Sequence, residues 1–110
     1  MQLDDYQGRS AKTLIEGDDK VLVLARMALG LSGESGEVAE KIKKVLRDSN
    51  GEMSELVKKD LSHELGDVLW YLARLADITG SSLSQIAEDN LAKLESRQKR
   101  GKLGGSGDNR

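Results

Sequence analysis

None of the 110 residues is proline. Proline is the residue that most reliably ends or kinks a helix, so nothing here forces one to stop. A composition rich in Leu, Ala, Glu, Lys and Arg then favours helix along most of the length. No stretch combines sustained alternation with β-branched residues, and no strand is expected. The fold class read from this is all-α: one domain over residues 1–103, built as a four-helix bundle, with a Gly-rich tail over residues 104–110.

Periodicity and caps set the helices. A short first helix runs from about Leu3 to Ile15. Asp18 or Asp19 is the N-cap of a second, from about Lys20 to Arg47, whose apolar stripe is Val21, Leu22, Ala25, Ala28, Leu29, Val38, Ile42 and Val45. Gly30, Gly33 and Gly36 recur inside it, each costing roughly 0.5–1 kcal/mol relative to Ala. Glycine at such a price points to close approach of another helix or a ligand, or else to a break in the helix; both forms stay open. Asp48–Gly51 is a turn. A third helix covers about Ser54 to Thr79, with Leu61, Leu65, Val68, Leu69, Leu72 and Ala76 facing inward and Gly80 as its stop. Ser82 and Gln85 have capping-box spacing and open a fourth helix with Ile86, Leu91 and Leu94 on its apolar face, ended by Arg100-Gly101.

Several function classes are disfavoured. A net charge of −2 argues against a nucleic-acid polymer as partner. No apolar run approaches the ~18–20 residues of a membrane span, and no signal-peptide pattern opens the chain. With no cysteine there is no disulfide or thiolate site, which suits a reducing, cytoplasmic setting. Trp70, Tyr6 and Tyr71 are the aromatic residues, so the core must come from aliphatic side chains and is small.

The chemistry concentrates between Gly30 and Tyr71. Glu34 and Glu37 stand three residues apart, as do Glu64 and Asp67. Helical residues at that spacing share a face, so two packed helices would converge four carboxylates on one patch. Such a patch needs cations between its charges, and an all-oxygen donor set suits Mg²⁺, with Mn²⁺ as a substitute. An i,i+3 acidic pair is also ordinary on a solvated helix face, and spacing alone leaves the two readings even. His63 is the single histidine, too few for a carboxylate-bridged di-iron site. Tyr71 shares a face with Glu64 and Asp67, whereas Trp70 reads as a packing residue. Asn90, Lys93 and Arg97 form a polar stripe able to grip a phosphate, or simply a solvated face.

Taken together, Glu34-x-x-Glu37, the gap that follows it, and Glu64-Leu-Gly-Asp67-Val-Leu-Trp-Tyr71 resemble the signature of MazG-like nucleoside triphosphate pyrophosphohydrolases, of the all-α NTP pyrophosphatase superfamily. The flanking Gly30–Glu40 and Asn90–Arg97 text fits as well, and the resemblance runs from about Leu22 to the end. It implies an enzyme that cleaves a (d)NTP to (d)NMP and pyrophosphate with Mg²⁺. It further implies Glu34, Glu37, Glu64 and Asp67 as metal ligands, with Glu34 and Glu37 also catalytic and Glu37 the candidate base. Lys93 and Arg97 match the triphosphate-binding pair, Asn90 a substrate-contacting asparagine, and Tyr71 a sugar- or base-contacting aromatic. Asp60 departs from members that carry lysine there. The family forms dimers and tetramers, so a homodimer or homotetramer is expected. The tail resembles that of short-form members and is a candidate to fold over the site when substrate binds. The alternative is a non-catalytic helical interaction module with the same fold.

Overall fold

A computed structural model describes residues 1–17 and 19–110. These form four helices and no strands: α1 (Leu3–Ala11), α2 (Lys20–Ser49), α3 (Glu55–Ile78) and α4 (Leu83–Lys99). The all-α expectation holds. The α2 helix is continuous through Gly30, Gly33 and Gly36 rather than broken. The first helix ends four residues early, at Ala11, and the chain then turns, with Thr13 and Leu14 bonding back to the carbonyls of Ser10 and Ala11.

Side-chain caps fix the starts. Asp19 accepts from the Leu22 amide at 2.9 Å and caps α2; the other proposed cap, Asp18, lies outside the described residues. Ser54 caps α3, and Ser82 caps α4 through the Gln85 amide at 3.0 Å. Gln85 does not reach back to complete a capping box but bonds Asp89 instead. Asn50, in the left-handed region at φ 54°, ends α2 and reverses the chain.

The α2 and α3 helices form an antiparallel hairpin. Gly30 meets Tyr71, Lys41 meets Glu64, and Val45 shares a groove with Val57, so one residue number falls as the other rises. The reason for one glycine is now concrete. A Cβ at Gly30 would collide with the Tyr71 ring, whereas Gly33 and Gly36 face open space.

Polar bonds dock α1 across the ends of α3 and α4. Buried Gln7 donates to Asp77 Oδ1 (2.7 Å) and the Ser81 carbonyl (3.0 Å), and accepts from the Leu83 amide (2.7 Å). Arg74, 2% exposed, donates to the Gln7 carbonyl (2.7 Å) and Ser10 Oγ (2.9 Å), and lies 3.3 Å from Asp77. Its Nε and Nη1 have no hydrogen-bond partner among the described residues, but the guanidinium stands 5.6 Å from the Trp70 ring centroid, whose π face attracts it.

The hydrophobic core is thin: Ala73, Ala76 and Leu83, with Tyr6 and Leu69 against them. The expected inward stripes are only partly buried. Val45 and Ala76 are inside, but Val21, Leu22, Leu29, Leu65, Leu72, Ile86, Leu91 and Leu94 are exposed. The α4 helix touches α1 and α3 but not α2, so the bundle is open along one side. A radius of gyration of 16.9 Å exceeds the ~13 Å of a compact chain this long. No helix among the described residues is long and apolar enough to cross a membrane.

Candidate metal centre

The hairpin brings three of the four sequence-selected carboxylates together. Glu34 from α2 and Glu64 and Asp67 from α3 offer oxygens that all lie within 4.8 Å of one another. Helical spacing puts Glu64 and Asp67 one turn apart on α3, and the antiparallel register delivers Glu34 opposite them. Glu37, a turn further along α2, is exposed and stands outside the triad.

The electrostatics of the cluster are those of a site short of positive charge. Glu34 has its carboxyl held above the ordinary value of 4.5, first by desolvation and then by the charges of Asp67, Glu64 and Glu37 and a hydrogen bond with Glu64. Three hard oxygen donors, with no sulfur or nitrogen among them, suit Mg²⁺ or Mn²⁺ rather than zinc or iron. The residues present fit a divalent cation.

The triad is not free of cations. Lys41 Nζ, from α2, stands 3.5 Å from Glu64 Oε1, and both side chains are partly buried. Sequence reading did not single out this lysine. One signal was available: Lys41 lies four residues after Glu37, and so two turns from Glu34 on the same helix.

A cleft of about 310 Å³ opens beside the cluster, lined by Thr13, Glu34, Asp67, Trp70 and Tyr71. The Trp70 and Tyr71 rings meet edge-on, 5.0 Å between centroids, and Trp70 Nε1 donates to Thr13 Oγ1 at 2.7 Å. Trp70 thus ties the turn after α1 to the cleft, a packing role, while also forming part of its wall. A second cavity shares Thr13 and Trp70 and continues beneath α1 past Tyr6, Arg9 and Ser10. Burial is the main cause that raises the Tyr6 hydroxyl above its ordinary value.

The other selected side chains lie elsewhere. Asn90 and Lys93 are exposed on α4, which makes no contact with the α2 segment carrying Glu34. Arg97 is 5% exposed, buried under the residues that follow α4. Its Nη2 donates to the Asp108 carbonyl at 2.6 Å, and Lys102 bonds back to the Arg97 carbonyl at 2.7 Å. Arg110 closes this tail into a ring, donating to the carbonyls of Lys102, Leu103, Gly104 and Gly107. The tail is therefore folded on α4, not extended over the carboxylates. His63 is exposed on α3.

Comparison with known proteins follows the same lines. A family model described as the MazG nucleotide pyrophosphohydrolase domain matches residues 24–101. The chain is 46% identical, over 114 aligned residues covering 100% of both proteins, to the Gene 37 protein of Mycobacterium phage L5. No solved structure matches it.

Proposed function

The chain belongs to the MazG nucleotide pyrophosphohydrolase domain family, and from that premise we propose that it hydrolyses a (d)NTP to (d)NMP and pyrophosphate in a Mg²⁺-dependent reaction. The observation that carries this reading is the convergence of Glu34, Glu64 and Asp67 at the mouth of a cleft walled by Trp70 and Tyr71. Glu34, Glu64 and Asp67 would hold the metal, with Glu37 available at the rim. A bound divalent ion supplies charge neutralisation at the phosphates and lowers the pKa of a coordinated water. The side chains do the rest. Glu37, exposed and one turn from Glu34, takes a proton from the attacking water. Tyr71 fixes the sugar or base against the cleft wall, and the cleft beside it accommodates a planar ring.

Asn90, Lys93 and Arg97 would grip the triphosphate, and their distance from the triad bears on assembly. The chain exposes 8070 Å², where a monomer of 12.0 kDa follows about 6,000 Å². The excess, ~2,000 Å² per chain, matches what an obligate homo-oligomer interface covers. A homodimer or homotetramer would bury the apolar faces of α2 and α4. It would also let α4 of a second copy lie over the carboxylates. Arg97 would then have to exchange Asp108 for phosphate.

The test is to incubate the purified protein with a panel of ribo- and deoxynucleoside triphosphates, with Mg²⁺ or with EDTA, and to separate the products. Metal-dependent monophosphate and pyrophosphate support the reading. Diphosphate and phosphate would move the cleavage to the other anhydride. A folded, Mg²⁺-loaded oligomer that turns over no nucleotide would replace the enzyme with a helical interaction module.

A further inference from the structure

Lys41 is the one feature of the carboxylate patch that its expected chemistry does not use. It projects from α2 to place its ammonium 3.5 Å from Glu64 Oε1, with 32% of its side chain and 20% of that of Glu64 exposed. The neighbouring lysines behave differently. Lys43 and Lys44 turn to Glu40 at 2.9 and 4.0 Å, on well-exposed side chains, and leave the triad alone. A groove of about 220 Å³ between α2 and α3 runs beside this pair, lined by Lys41, Lys44, Val45, Asp48, Ser49, Val57 and Asp60. Lys41 thus stands on a boundary, with Glu64 on one side and open volume containing Asp60 and Asp48 on the other.

We propose that Lys41 is a positioning residue, a resident counterion that holds Glu64 in the triad before metal arrives and leaves it when a divalent cation binds. The inference rests on the metal-site reading above. Lys41 and an entering cation compete for a shared acceptor, Glu64. Three clustered carboxylates repel one another, and an ammonium at Glu64 offsets part of that repulsion. A cation entering the triad needs the same carboxylate, and its charge repels the ammonium a few ångströms away. The groove gives Lys41 a place to go, and Asp60 gives it an acceptor there, whereas Asp48 is already paired with Arg47. Metal affinity is then set by an exchange of cations at Glu64 rather than by occupation of a bare cluster. The device keeps the patch ordered without metal and weakens its hold on metal.

The experiment measures Mn²⁺ binding by calorimetry on the full chain with no nucleotide present. It compares wild type with Lys41→Gln, Lys41→Arg and Lys44→Gln, and records the melting temperature of each metal-free protein. Removing a partly buried ion pair should tighten Mn²⁺ binding of Lys41→Gln by roughly three- to tenfold while lowering its metal-free melting temperature. Lys41→Arg, which retains a cation for Glu64, should stay within about twofold of wild type. Lys44→Gln, equal in net charge to Lys41→Gln but lacking a link to the triad, should do the same. Unchanged affinity in Lys41→Gln overturns the inference, and so does an equal gain in Lys44→Gln, which would make the effect one of net charge. Wild-type protein that binds no Mn²⁺ overturns the metal site itself and this inference with it.

Discussion

The ring of Tyr71 lies against the bare backbone of Gly30, in the space where any other residue would carry its Cβ. This contact sets how closely α2 and α3 approach at the mouth of the cleft, since Glu34 stands one turn beyond Gly30 and Asp67 one turn before Tyr71. Gly30→Ala should therefore force the ring aside and cost about 1–3 kcal/mol. Gly33→Ala and Gly36→Ala meet open space and should instead stabilise α2 by roughly 0.5–1 kcal/mol each. Urea denaturation of the three variants separates them by sign.

Gly30 also shows how far the sequence could be read. Three helical glycines at intervals of three signalled a close approach, and the structure supplies the partner for one of them. The carboxylate triad was legible for a related reason: i,i+3 spacing on two helices joined by a short turn leaves few ways to pair. The apolar stripes misled because periodicity reports a face that must be buried without saying by what. Val21 and Leu29, 75% and 72% exposed, lie on a stripe that no other helix of the chain covers. Gln7 and Arg74 gave no signal at all. Polar residues on a helix read as surface until a second element supplies their partners, and here those partners are 64 to 76 residues away in sequence.

Arg74 should prove the most sensitive position outside the cleft. It is buried, and its removal leaves the Gln7 carbonyl and Ser10 hydroxyl without their donor and Trp70 without its cation. Arg74→Ala should cost about 2–4 kcal/mol, since it leaves buried acceptors without a donor and a cavity where the side chain packed. Gln7→Ala should cost less, and the double variant should fall short of the sum because the two share the Gln7–Asp77 node. Equilibrium unfolding of the two single variants and the double variant measures this coupling.

The raised carboxyl of Glu34 predicts an unusual pH dependence for the metal-free protein. Its folded pKa is above the unfolded value, so the folded state binds the extra proton more readily. Stability should therefore rise as pH falls from neutral through that raised value toward 4.5. Glu40 and Asp48 act the other way. Hydrogen bonds from Lys43 and Arg47 hold them below their ordinary values, and their contribution disappears only at still lower pH. The melting temperature should thus pass through a maximum in mild acid, and Glu34→Gln should remove the rise. Added Mn²⁺ should flatten it, since metal and proton compete for one carboxyl.

The tail makes the last prediction. Arg110 donates to four carbonyls of the segment that buries Arg97, and the glycines at 101, 105 and 107 adopt positive φ to close the ring. Arg110→Ala removes the centre of that ring but no helix contact. Helix content by circular dichroism should be unchanged. Cleavage by trypsin after Arg100 or Lys102 should accelerate, by about fivefold for each ~1 kcal/mol lost from the closed loop when reclosing outpaces cleavage. By opening the tail, the same variant should also loosen the hold of Asp108 on Arg97. If Arg97 grips triphosphate only after leaving the tail, Arg110→Ala should lower KM for the nucleotide with kcat unchanged. A raised KM would mean that the tail itself holds Arg97 in its working position.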